Sequence, residues 1–182
     1  MPAGAADITA EYNDLYEITV TNGTADVSEA IAGATVTITA STIAHKVFKN
    51  WTTTTAGVTF ADANGASTTF TMPASTVSIE AEYNDLYAIN ITNGTATIDS
   101  EEVTEALAGS TITVVANDIE DKVFQSWATS TADVTFADAA SATTTFTMPA
   151  SSADVTAVYA DLIAYTIIDG ITSSGKALAG IV

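Results

Sequence analysis

The residues able to do chemistry are few, and they do not recur as a set. His45 is the only histidine, and the position 76 residues further on (45 to 121) holds Asp121, so a histidine-based nucleophile or acid/base system has at most one member in the chain. An exposed turn is its expected setting. Asp118, Glu120 and Asp121 offer hard oxygen ligands of the kind calcium takes. Their spacing matches no calcium loop, however, and the corresponding positions of the first half read Thr42, Ala44 and His45. Asp99, Glu101, Glu102 and Glu105 form a second acidic run, whose default is a solvated surface loop. These patterns lead us to expect no catalytic residue, no metal-ligand set and no cofactor site.

Two other chemistries are open. Lys46 and Lys122 occupy equivalent positions, and a lysine held against an asparagine and an acid can form a side-chain amide crosslink, with Asn50 or Asn117 as acceptor. The plainer alternative is that each lysine snorkels from the edge of a sheet. Asn22, Asn50, Asn90 and Asn93 each begin an Asn-x-Thr triplet that matches an N-glycosylation acceptor, a pattern that arises easily in a threonine-rich chain. Cysteine is absent, which removes disulfides and thiolate chemistry without fixing a compartment.

The elements that carry these residues repeat. Met72-Pro73-Ala74 recurs as Met148-Pro149-Ala150, and Met1-Pro2-Ala3 stands 71 residues earlier (1 to 72). Tyr12, Tyr83 and Tyr159 follow the same offsets, while Phe48 and Trp51 map onto Phe124 and Trp127. A period of this size marks an array of small modules. We therefore expect the last strand of a preceding repeat at 1–14, one repeat at 15–85, a second at 86–161, and the first part of a following repeat at 162–182, which ends Ala179-Gly180-Ile181-Val182. The partial repeats predict either a longer protein or completion of the ends by another copy.

Within each repeat the hydrophobic period is two, the signature of half-buried strands. Tyr16, Ile18 and Val20 alternate with Glu17, Thr19 and Thr21 before a tight turn at Asn22-Gly23, and Tyr87, Ile89 and Ile91 do the same before Asn93-Gly94. Val36, Ile38 and Ala40 alternate with threonine after Ala32-Gly33, as Ile112, Val114 and Ala116 do after Ala108-Gly109. Further strands are expected at 47–51, 58–60, 68–72 and 77–83, with Pro73 separating the last two because it cannot donate to a ladder. Five or six strands per repeat, with threonine outward, point to an all-β fold of tandem, sandwich-like modules with one wet face. Trp51, Phe48, Phe60, Phe70, Met72 and Tyr83 are the expected core of the first, with Trp127, Phe124, Phe136, Phe146, Met148 and Tyr159 in the second. Asn84-Asp85-Leu86 reads as a short linker, which predicts a semi-rigid linear array. The second repeat is longer by five residues (76 against 71) in the stretch Ile98–Leu107, where a helical turn starting at Ser100 and a loop are both open.

The order Ala-Gly, Phe-x-x-Trp, Phe-Thr-Met-Pro-Ala and Ala-x-Tyr resembles the divergent internalin-type B repeat. The matching residues are Ala32-Gly33, Phe48 to Trp51, Phe70 to Ala74 and Ala81 to Tyr83, and again Ala108-Gly109, Phe124 to Trp127, Phe146 to Ala150 and Ala157 to Tyr159. The resemblance covers both repeats and both partial ends. It implies β-grasp-like modules strung along secreted surface proteins of bacteria, serving as stalks, spacers or adhesive regions. The chain departs from the pattern at His45-Lys46-Val47 and Asp121-Lys122-Val123, where the family has glycine followed by an aromatic.

Composition bounds the partners. Hydrophobic residues make up 47% of the 182, and mean hydropathy is +0.29, enough for packed cores. A net charge of −18, with 22 acidic residues against four lysines, repels nucleic acid and anionic membranes. No run of residues is long and apolar enough to predict membrane insertion. The expected partners are neighbouring repeats in the same chain, together with head-to-tail self-association. Three functions stand: a stalk, spacer or fibre region of an extracellular, cell-surface protein; a self-assembling extracellular filament subunit with strand exchange; and an adhesive, carbohydrate-binding or other ligand-binding module. No acid, base and nucleophile recur together, so an enzyme is not expected.

Overall fold

The computed structural model describes residues 9–167 and 173–178. Contacts divide the chain into two compact units, 1–84 and 85–182. The first carries β1 (Leu15–Thr21), β2 (Gly23–Ala25), β3 (Glu29–Ile31), β4 (Thr35–Ala40), β5 (Lys46–Thr53), β6 (Ser67–Thr71) and the start of β7 (Val77–Thr92). The end of β7 opens the second, followed by β8 (Gly94–Ile98), β9 (Glu101–Glu102), β10 (Glu105–Leu107), β11 (Thr111–Ala116), β12 (Lys122–Thr129), β13 (Thr143–Thr147), β14 (Ala153–Ile167) and β15 (Ser173–Leu178). No helix occurs among the described residues. The fold is all-β, in tandem repeats.

Each unit has two sheets. In the first, β1 lies between β3, which it meets antiparallel, and the start of β7, which it meets in parallel, with β5 beyond β7. The second sheet runs β2-β4-β6, antiparallel throughout. The second unit repeats the plan: the end of β7 lies between β10 and β14, β12 lies beyond β14, and β13-β11-β8-β9 form the other sheet. The connections from β1 to β2 and from β7 to β8 are corners, since β2 and β8 pair with β4 and β11 in the other sheet.

The period-two stripes become the core. Ile18, Val77, Ile79 and Ala81 from one sheet meet Val36, Ile38, Phe70 and Met72 from the other around Trp51, which is 2% exposed. Tyr16, Val20, Phe48, Phe60 and Tyr83 are half-buried against this cluster, so Phe48, Phe60 and Tyr83 form its rim. The second core is built alike around Trp127, with Phe124, Phe136 and Tyr159 at the rim. Two threonines are buried with it: Thr68 and Thr144 accept the backbone N–H of Asp62 and Asp138 at 3.0 Å each, tying the loop before β6 and β13 to the sheet.

Several expectations need correcting. Asn84-Asp85-Leu86 is no linker, because it lies inside the 16-residue β7, and the chain passes from the first unit into the second without leaving the strand. Asn84 and Asp85 are exposed, so their polarity follows from their outward position and not from a break in the ladder. The strand expected at 58–60 is a single bridge, Phe60 to Phe70, and so is its counterpart, Phe136 to Phe146. The longer stretch of the second unit is neither helical turn nor loop. Asp99 and Ser100 both take positive φ, and this tight turn folds β9 back onto β8. Residues 9–14 carry no strand, and the rest of the segment expected to hold the last strand of a preceding repeat lies outside the described residues, with Met1-Pro2-Ala3 and Ala179-Gly180-Ile181-Val182. β14 and β15 pair Leu162 with Leu178, the register of Leu15 with Ile31 and of Leu86 with Leu107.

Candidate functional site

The two turn glycines answer to tryptophan. Asn22 and Asn93 take the left-handed φ of 59° and 60°. Gly23 and Gly94 are needed for space instead: a Cβ on Gly23 would lie 2.7 Å from Trp51 Cη2 and 2.8 Å from the Thr39 carbonyl, and one on Gly94 would lie 2.6 Å from Trp127 Cη2 and 2.8 Å from the Val115 carbonyl. The indole N–H of each tryptophan donates to a carbonyl across the loop, Trp51 to Gly65 at 3.0 Å and Trp127 to Ser141 at 3.1 Å. The Phe-x-x-Trp spacing places Phe48 and Trp51 in tilted contact at 5.6 Å, with Tyr83 edge-on to Phe48 at 5.9 Å. Phe124, Trp127 and Tyr159 repeat this at 5.8 and 5.9 Å.

Tyr83 then acts as a latch. Its hydroxyl donates toward the carbonyls of Ser41 at 2.5 Å and Asn22 at 3.1 Å, and the Asn22 side-chain amide donates to the Ala81 carbonyl at 3.3 Å. Tyr159 donates to the carbonyls of Asn117 and Asn93 in the same way. Partial burial, and then the Asp118 carboxylate, push the Tyr159 hydroxyl above the ordinary tyrosine value. The Ala-x-Tyr motif announces the aromatic, but the latch was missed because its acceptors are backbone carbonyls 42 to 66 residues away.

The residues with chemical potential are not brought together. His45 and Asp121 hold equivalent positive-φ turn positions ahead of β5 and β12, with φ of 58° and 60°, so the turn keeps a left-handed residue where the family pattern has glycine. Both are exposed, as are Asp118 and Glu120. Glu101 and Glu102 form β9, while Glu105 lies on β10. No group of three histidine, aspartate or glutamate side chains among the described residues could hold a metal ion. The Lys122 ammonium pairs with Asp161 at 2.5 Å on an exposed surface, and Asn50 donates to the Trp51 carbonyl at 3.3 Å. That places an exposed carboxylate against Lys122. Of the Asn-x-Thr asparagines, Asn22 serves the latch and Asn90 donates to Asp154 at 2.8 Å.

Open depressions lie on the surface of the described residues. One of about 420 Å³ is lined by Ile89, Ile91, Ala96, Glu102 and Val103, and another of about 470 Å³ by Asn22, Ile43, Lys46, Glu80 and Tyr83. Neither joins a nucleophile to a base. Among the described residues no helix is long and apolar enough to cross a membrane.

No curated protein and no solved structure matches the chain. The profile of the divergent InlB B-repeat domain matches twice, over residues 16–86 and 84–162, with each match ending just past the shared tyrosine. Met-Pro-Ala, Phe-x-x-Trp and the latch tyrosine thus recur in two successive copies of one module, and the chain belongs to the divergent InlB B-repeat family.

Proposed function

We propose that this chain is a structural repeat region of a secreted bacterial cell-surface protein, acting as a stalk, spacer or fibre. The observation that carries the reading is β7: one 16-residue strand closes the first repeat and opens the second. The conspicuous motif residues are used up in the cores and latches, and the chemically able ones are scattered over the surface. We read the chain as two complete repeats, 15–85 and 86–161, between two partial ones. The test is the accessibility of the repeats on intact cells of the source organism. Antibody binding and protease shaving before lysis support the reading; a signal that appears only after lysis refutes it.

A second reading, a filament subunit completed by strand exchange, draws on Tyr12. It is 92% exposed, whereas Tyr83 and Tyr159 at the same repeat position are packed on Phe48 and Phe124. A preceding repeat would give Tyr12 the same seat, and in a filament another copy supplies it. Light scattering across concentration separates the two: constant monomer mass excludes the filament, and mass that grows with concentration supports it.

A further inference from the structure

We propose that each repeat is a force-bearing clamp, loaded in shear when the chain is pulled from its ends. This rests on the stalk reading and adds tension to it as a function. The argument begins with strand direction. The first and last strands of the first repeat are neighbours and run in parallel, pairing Ile18 with Val77, Thr19 with Ser78, Val20 with Ile79 and Thr21 with Glu80. In the second repeat the end of β7 and the start of β14 do the same, pairing Ile89 with Ala153, Asn90 with Asp154, Ile91 with Val155 and Thr92 with Thr156. In a parallel pair, the incoming end of one strand and the outgoing end of the other lie at opposite ends of the ladder. Tension then slides the strands lengthwise, and all the hydrogen bonds between them resist together. An antiparallel first and last strand would instead be peeled apart one bond at a time.

Side chains reinforce the same pair of strands. Ile18, Val77 and Ile79 are buried beneath it in the first repeat, and Ile89, Ala153 and Val155 in the second. The Asn22 amide bonded to the Ala81 carbonyl, and the Tyr83 hydroxyl bonded to the Asn22 carbonyl, tie the chain just past β1 to β7, so sliding must break them too. In the second repeat Asn90 reaches Asp154 across the ladder, and Tyr159 reaches the Asn93 carbonyl. Because β7 is the outgoing strand of one clamp and the incoming strand of the next, tension passes between them along one backbone.

The chain has no cysteine, so a single introduced one gives a unique handle for single-molecule pulling. Pulled from its two ends, the chain should unfold in two separate high-force events, each releasing roughly 240–270 Å of contour for 71 or 76 residues, less the folded span. With Ser75→Cys as one handle and the N-terminus as the other, the incoming ends of β1 and β7 are pulled apart from the same end of the ladder. The first repeat should then unzip at a severalfold lower force. Tyr83→Phe, which keeps the ring and removes the hydroxyl, should lower the end-to-end force of the first repeat and leave the second unchanged. Equal forces in the two geometries, or end-to-end unfolding without force peaks, overturn the clamp. Either result leaves the spacer reading standing, since a spacer needs only length, and that reading fails separately in the cell-surface accessibility test.

Discussion

Trp51→Ala tests the core assignment in the first repeat. The side chain is 2% exposed, touches Phe48 at 5.6 Å, covers Gly23 and donates to the Gly65 carbonyl at 3.0 Å. Truncating a buried tryptophan to alanine costs about 3 to 5 kcal/mol. The Gly65 carbonyl adds little, because the bond is only part-buried and water can replace the indole N–H. At roughly 0.05 to 0.15 kcal/mol per residue, a unit of about 75 residues holds only about 4 to 11 kcal/mol, so the substitution removes a quarter of the first repeat's stability or more. Urea denaturation followed by far-UV circular dichroism reads both repeats, and in this variant tryptophan fluorescence reads Trp127 in the second repeat alone. With a urea slope of about 1 kcal/mol per molar, the midpoint of the first repeat should fall by roughly 3 M. A loss below about 1 kcal/mol would mean that Trp51 does not hold the core.

Gly94→Ala places a methyl 2.6 Å from Trp127 Cη2 and 2.8 Å from a carbonyl, so it should destabilise the second repeat by about 1 to 3 kcal/mol in the same urea assay. The raised Tyr159 value makes a signed prediction. The folded-state value lies above that of the unfolded chain, so stability is whole below the ordinary tyrosine range near ~10 and falls as pH rises through it; Tyr159→Phe should flatten that alkaline loss in a pH series of thermal melts. Lys122 sits beside Asp161 on an exposed surface, so Lys122→Ala should change stability by less than about 1 kcal/mol in the same urea assay.

The local pattern was legible where one face is wet and the other buried. Val36 and Ile38, or Ile112 and Val114, alternate with threonine and are fully buried, and Trp51, Phe70 and Met72 lie in the core as their types suggest. What escaped is non-local. Nothing in Tyr16-Glu17-Ile18 says that its parallel partner begins at Val77, and nothing in Asn84-Asp85 distinguishes a linker from the outward face of a strand that serves two modules. Asn22-Gly23 reads as a hairpin turn, but the glycine is there because Trp51 comes from the far side of the core to touch it. The Val58–Phe60 segment alternates well enough for a strand and pairs at only one residue, since Ala61 and Asp62 bond to the body of the sheet through Thr69 and Thr68. For the candidate chemistry, the missing recurrence of His45 in the second repeat was informative, and the structure sets that residue in an exposed turn.

The central claim is that these repeats act through folded length and continuity, not through a binding or reactive site. On the proposed reading, the most direct measurement replaces residues 15–161 with an unrelated folded spacer of equal length in the source cells and follows surface exposure of the protein, together with adhesion of the cells. Unchanged exposure and adhesion are the result predicted. Loss of adhesion with exposure intact would show that the repeats themselves carry a ligand site, and would contradict the account.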